Sequence, residues 1–152
     1  ITTGMTDTLF APNGVCTRAQ MVTFLWRAMG SPAPKSTSCN FVDVSADAYY
    51  YDAVLWGTEN GVIKGTSETT FSPNQTVTRC QTVTFLWRNA GAPKATAACT
   101  FTDIVEGAYY YDAVLWAAEE KVTKGTSATT FSPEDPCLRG QIVTLMYNYM
   151  AD

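Results

Sequence analysis

The chain has 152 residues, 46% of them hydrophobic and 16% charged, with 10 basic and 14 acidic side chains and no histidine. That is enough length for one domain with its own core, and too apolar a composition for a disordered chain. The net charge of −4 argues against partners that need a basic surface, namely nucleic acid and anionic membranes. No apolar run reaches the roughly 20 residues of a membrane span, so no membrane insertion is expected. The missing histidine excludes His-based triads and His-ligated metal sites.

Read in order, the chain repeats itself. Phe41 and Phe101, Trp56 and Trp116, Phe71 and Phe131, and Arg79 and Arg139 share one period, and Phe10, Pro12 and Arg18 extend it backwards. One domain of three repeats is expected: repeat 1 at 1–30, repeat 2 at 40–91 and repeat 3 at 100–151. "ITTG" at Ile1–Gly4 aligns with "VIKG" at Val62–Gly65, so the first half of repeat 1 has no counterpart in the chain.

Each full repeat predicts two helices. The first is "AYYYDAVLWGTENG", with Asp47 as N-cap, a stop at Asn60-Gly61, and Tyr50, Ala53, Val54 and Gly57 on its apolar face. In repeat 3 Lys121 stands where the glycine would be; a positive φ there costs about 1 kcal/mol. "KGTSETTFSP" predicts a loop anchored in the core by Phe71, and by Phe131 in repeat 3. The second helix opens at "TRCQ", buries Val83, Leu86, Trp87 and Ala90, and stops at Gly91, as its counterpart stops at Gly30.

The opening of that second helix carries the functional question. Thr78 with Gln81, and Thr17 with Gln20, fit a capping box. Repeat 3 has Leu138 before Arg139 and Gln141, so its cap is weaker by about 1 kcal/mol. Capping does not account for Arg18, Arg79 and Arg139, which stand at the first helical position, where a positive charge opposes the helix dipole. Two uses remain open: a salt bridge to a carboxylate such as Asp43 or Asp103, or presentation of the guanidinium to an anionic or polyhydroxyl ligand beside free helix N–H groups. In the second case Arg79→Ala leaves the fold nearly intact.

The stretch "FVDVSADAYYYDAVLWGTENGVIKGTSETTFSPNQTVTRCQTVTFLWRNAG" resembles an S-layer homology repeat. The shared pattern is an opening F-x-D-V, a helix of aromatic and small residues, G-x-I-x-G, F-x-P, and a T-R-A-E type motif. The resemblance covers both full repeats and the remaining half of repeat 1. It implies an all-α fold, a pseudo-threefold spindle of helix-loop-helix repeats around a central helix bundle. It also implies an extracellular location at a bacterial cell wall or surface, and non-covalent anchoring to a wall polysaccharide, often pyruvylated, held in grooves between repeats. By position Arg18, Arg79 and Arg139 match the motif arginine and Asp43 and Asp103 the F-x-D-V aspartate. Gln20, Gln81 and Gln141 replace the motif glutamate, which keeps a capping group and removes a negative charge. "LRGQ" makes repeat 3 the most divergent. Lys64 and Lys124, each before a loop glycine, are candidates to supplement the arginines.

Tyr49, Tyr50 and Tyr51, like Tyr109, Tyr110 and Tyr111, cannot all face inward, so some are exposed, for sugar stacking or for packing at an interface. Trp26, Trp56, Trp87 and Trp116 are expected in the core. No catalytic residues and no cofactor are expected, because no nucleophile has a base beside it. The alternative to a glycan anchor is a protein-interaction or structural module on the same scaffold.

Five cysteines remain. In an exported protein, two disulfides within repeats are expected, Cys39–Cys80 and Cys99–Cys137, with Cys16 unpaired. A rival register joins Cys16–Cys39 and Cys80–Cys99. The absent half-repeat leads to a further expectation: the chain is a fragment, or recruits that helix from another chain, through Cys16.

Overall fold

A computed structural model describes residues 1–151. It is all-α: α1 (Arg18–Ala28), α2 (Tyr51–Glu59), α3 (Arg79–Asn89), α4 (Tyr111–Glu119) and α5 (Arg139–Met150). The second helices of the three repeats, α1, α3 and α5, form the central bundle; α2 packs on α1 and α4 on α3. One apolar core runs through all three repeats. No helix among the described residues is long and apolar enough to cross a membrane.

The pseudo-threefold axis is closed by backbone. Val77 N–H donates to the Cys16 carbonyl and Cys137 N–H to the Val77 carbonyl, each at 2.9 Å. The pairs Thr17 with Thr76, Thr78 with Pro136, and Val15 with Leu138 complete the ring. Just beyond it, each second helix is seated on the loop of a neighbouring repeat. Arg18 and Ala19 N–H donate to Gln75 and Pro73, Arg79 and Cys80 to Asp135 and Pro133, and Arg139 and Gly140 to Gly14 and Pro12. These bonds satisfy the first N–H groups that a helix start leaves orphaned. The free N–H groups anticipated beside the arginines are therefore already used by the fold.

Thr17 and Thr78 accept the N3 amide, and Gln20 and Gln81 accept the cap amide in return, so both capping boxes form. Repeat 3 keeps only the second half, with Gln141 Oε1 accepting from Leu138 N–H at 3.1 Å. Lys121 has φ 59° and Gly61, its counterpart, φ 68°. Phe71 and Phe131 are fully buried, as are Val83 and Leu86. Trp56 and Trp116 are buried; Trp26 and Trp87 are half-buried, with their indole N–H groups on the Pro32 and Pro93 carbonyls.

Two local expectations change. Asp47 is not a cap: it lies in a turn, and the helix begins one turn later at Tyr51 behind Tyr50, which makes no side-chain cap. That turn is closed by Ala48 N–H on the Ser45 carbonyl and the next by Tyr51 N–H on the Ala48 carbonyl, and Asp52 supplies the first-turn negative charge instead. Ala90 is exposed rather than part of the buried stripe, because it is the C-cap residue of α3.

Candidate binding grooves between repeats

The three arginines are at most 5% exposed. Arg18 Nε donates to the Phe71 carbonyl at 2.9 Å and its terminal nitrogen to the Lys64 carbonyl at 3.0 Å. Arg79 Nε reaches the Phe131 carbonyl at 2.8 Å, and Arg139 Nε the Phe10 carbonyl at 2.9 Å. Each guanidinium also lies over the ring of that same phenylalanine, at 4.8, 4.8 and 5.1 Å. Burial pulls the Arg18 pKa down to about 10, which leaves it a cation at neutral pH.

The aspartates hold the other side of the same residues. Asp43 accepts from Phe71 and Ser72 N–H at 2.8 and 2.7 Å, and Asp103 from Phe131 and Ser132 at the same distances. Ser72 and Ser132 have positive φ, so the carboxylates stabilise a bend that serine adopts reluctantly. Each phenylalanine is thus clamped at its N–H by the aspartate of its own repeat and at its C=O by the arginine of the preceding one. This replaces the anticipated arginine–aspartate salt bridge, and it makes the arginines part of the joint between repeats. Arg79→Ala is therefore not neutral for folding.

The same side chains floor three grooves. The groove between α1 and α3 has Arg18 at its base, Lys64 and Thr66 on one wall, and Gln81, Arg88 and Tyr109 around it. Between α3 and α5 the corresponding places hold Arg79, Lys124, Gln141 and Asn148. Between α5 and α1 they hold Arg139, Thr3, Gln20, Arg27 and Tyr49. Arg27 and Arg88 were not singled out in the sequence. They lie nine residues after Arg18 and Arg79, about two and a half turns, so α1 and α3 each send their two arginines to opposite sides and into different grooves, while α5 has Asn148 at that place. The repeat alignment carries that signal, since "FLWR" occurs twice.

Lys64 and Lys124 are exposed and held at the groove edge by the next residue. A Cβ on Gly65 would meet the Thr70 carbonyl at 2.4 Å and the Phe41 ring at 2.6 Å, so only glycine lets the loop fold back there. Tyr109 and Tyr49 are the exposed members of their tyrosine triplets, and Tyr110 is buried. Burial and its contact with Cys80 push the Tyr109 phenol pKa up, so it stays neutral. Asp43 and Asp103 do not line the grooves, and no Asp or Glu lines any of the three among the described residues.

The cysteines do not pair as expected. All five are free thiols. Cys80 Sγ faces repeat 3, at 3.2 Å from the Tyr109 hydroxyl, and Cys137 is set against Thr82 and Arg79 of repeat 2. Because the start of each second helix packs on a neighbouring repeat, Cys80 and Cys137 meet residues of that neighbour. Burial raises the Cys137 thiol to about 11 and the Cys16 and Cys80 thiols in the same direction.

The S-layer homology domain profile matches residues 1–22, 40–82 and 100–143. The chain belongs to the S-layer homology domain family. It is 39% identical over 77 residues, 51% of its length, to the Surface-layer 125 kDa protein of Lysinibacillus sphaericus. It is 30% identical over 119 residues, 76% of its length, to an Endoglucanase of Bacillus sp. (strain KSM-635). It is 24% identical over 156 aligned positions, 99% of its length, to an Amylopullulanase of Thermoanaerobacterium thermosulfurigenes. The matches span 6%, 12% and 8% of those proteins, so what is shared is a module within much longer chains. As a member of this family the chain is a cell-surface anchoring module in class.

Proposed function

We propose that the chain is a non-covalent cell-wall anchor. It takes an acidic wall polysaccharide, of which a pyruvylated one is an example, in the grooves between its repeats. The groove between α1 and α3 contributes most of the binding. The observation that carries this reading is the charge of the grooves: in a chain of net charge −4, each of the three is lined by at least two cations and, among the described residues, by no Asp or Glu. In the α1–α3 groove Arg18, Lys64 and Arg88 converge on one space, with Tyr109 offering a ring face at its edge. Arg88 and Lys64 are the adaptable contacts. The Arg18 guanidinium, held by its two carbonyls, supplies a fixed positive charge. The proposed activity is binding, with no covalent step, and it places the protein outside the cell.

Co-sedimentation with purified cell walls tests this, using walls with the secondary polysaccharide intact or chemically removed. The expected result is retention on intact walls and its loss on stripped ones. Equal retention on both would transfer the function to the protein-interaction alternative.

A further inference from the structure

We propose that the α3–α5 groove is a site for a phosphate group, as carried by a phosphodiester-linked wall polymer, and not a second copy of the α1–α3 site. Arg79, Lys121, Thr123 and Lys124 hold it. This goes beyond the anchor reading, because it gives one groove a ligand of its own.

The first observation is an uncommitted guanidinium. Arg18 and Arg139 each spend a terminal nitrogen on the protein, on the Lys64 carbonyl and the Thr2 hydroxyl. Arg79 makes neither corresponding bond. Among the described residues its side chain bonds only through Nε, to the Phe131 carbonyl. Yet Arg79 is 5% exposed and lines the groove. No fully buried side-chain nitrogen or oxygen among the described residues lacks a partner, so its terminal nitrogens open into the groove. A guanidinium fixed by Nε thus turns its free fork to whatever the groove holds, a geometry that suits paired phosphate oxygens.

The second is a buried hydroxyl. Thr123 stands where repeat 2 has Ile63, a core residue that does not line the α1–α3 groove. Thr123 is 6% exposed, lines the α3–α5 groove, and accepts the Gly125 N–H at 3.1 Å. Its hydroxyl proton has no acceptor among the described residues. A buried donor without an acceptor calls for a ligand atom or a water. In repeat 1 the matching Thr2 hydroxyl is already occupied by Arg139.

The third is Lys121. It has φ 59° where Gly61 has φ 68°, a conformation that glycine adopts freely and lysine does not. Lys121 lines the groove beside Lys124, whereas Gly61 does not line the α1–α3 groove. The strained lysine brings a further ammonium to the two cations already there.

The chemistry of the ligand follows from this set. The groove has no aromatic ring, while the other two have Tyr109 and Tyr49, so it offers no face for a sugar to stack on. Three cations and a hydroxyl donor meet there without a carboxylate. A phosphate spreads its charge over several oxygens and can take the arginine fork, the ammonium groups and the hydroxyl together. A carboxylate has two oxygens and leaves some of these donors unmet. At about 670 Å³, against 450 and 320 Å³, the groove is also the largest of the three, with room for the units on either side of a phosphodiester.

The test is an NMR titration of the whole chain with inorganic phosphate, with a short poly(glycerol phosphate), and with acetate as the carboxylate control. Both phosphate probes should shift the Thr123, Lys124 and Gly125 amides, the polymer at lower concentration, and acetate should shift them little. Lys121→Gly restores the residue of repeat 2 and should fold; it should weaken polymer binding by roughly tenfold or more, as expected for a lost charge-assisted contact. Thr123→Val should weaken it by roughly threefold or more, and Thr123→Ser, which keeps the hydroxyl, should not. Arg88→Gln, in the other groove, should bind the polymer as the parent does, so this proposal and the anchor reading fail separately. Parent-like polymer binding by folded Lys121→Gly and Thr123→Val variants would overturn the proposal. So would shifts centred on Arg88 and Tyr109, or an equal response to acetate. Binding of inorganic phosphate without the polymer would overturn the wall polymer as its source.

Discussion

The α1–α3 and α3–α5 grooves rest on the same joint and differ in what surrounds it. Both have a buried arginine whose Nε donates to the carbonyl of a buried phenylalanine, and both have a lysine before a loop glycine and a capping glutamine. The first adds Arg88 and Tyr109; the second has Asn148 and no tyrosine, and takes its third cation from Lys121 in the loop instead of from the helix. The comparison separates two jobs that the repeated phrase carries together. The motif arginine holds repeats to one another, so every groove keeps it. The residues that vary, nine positions further along and just ahead of a first helix, set what a groove can bind.

The largest expected effect breaks the shared part. Arg79→Ala removes a charge-assisted bond and leaves the Phe131 carbonyl unpaired inside the joint, so urea unfolding should show a loss of about 2–3 kcal/mol. Arg18→Ala should cost more, because it donates to two carbonyls. Leu138→Thr adds the half of the capping box that repeat 3 lacks and should gain about 1 kcal/mol, while the same change cannot improve α3, where Thr78 already caps. Lys121→Gly relieves a side chain held at φ 59° and should gain somewhat less, about 0.5–1 kcal/mol. Both gains can be read from thermal unfolding.

The smallest effect concerns acid. Burial alone would raise the Asp103 carboxyl, but the Phe131 and Ser132 N–H groups hold it below its ordinary 3.8. The unfolded chain therefore takes up this proton first. The contribution is complete above about pH 4 and is lost as the pH falls through the folded value. Asp103→Asn should flatten that part of the stability profile, measured by urea midpoints between about pH 2 and 5.

Much of this architecture is legible in the sequence because local chemistry decides it. Thr-x-x-Gln caps, Gly30 and Gly91 stops, and phenylalanines at a fixed period act within a few residues or repeat unchanged. The reading failed where the deciding partner belongs to another repeat. Arg18 stands against its helix dipole for a carbonyl at Phe71, and Cys80 turns to Tyr109 rather than to Cys39's end of the repeat. Asp47 failed for the opposite reason: a turn closed by Ala48 and Tyr51 delays the helix, and an Asp alone does not reveal it. Arg88 was readable from its repetition in "FLWR", but its groove became visible only once α3 was set against α1.

The most direct test compares Arg88→Gln with Asn148→Arg for binding to purified wall polysaccharide by calorimetry. Arg88 sits away from the joint, and the Val122 carbonyl that Asn148 Nδ2 holds at 3.1 Å can accept from an arginine in its place, so both variants should fold as the parent does. Arg88→Gln should weaken binding by about 1.5–3 kcal/mol, the range of a charge-assisted hydrogen bond. Asn148→Arg should leave it unchanged or tighten it by recruiting the α3–α5 groove. Undiminished binding by a folded Arg88→Gln variant would contradict the assignment of the α1–α3 groove as the principal site.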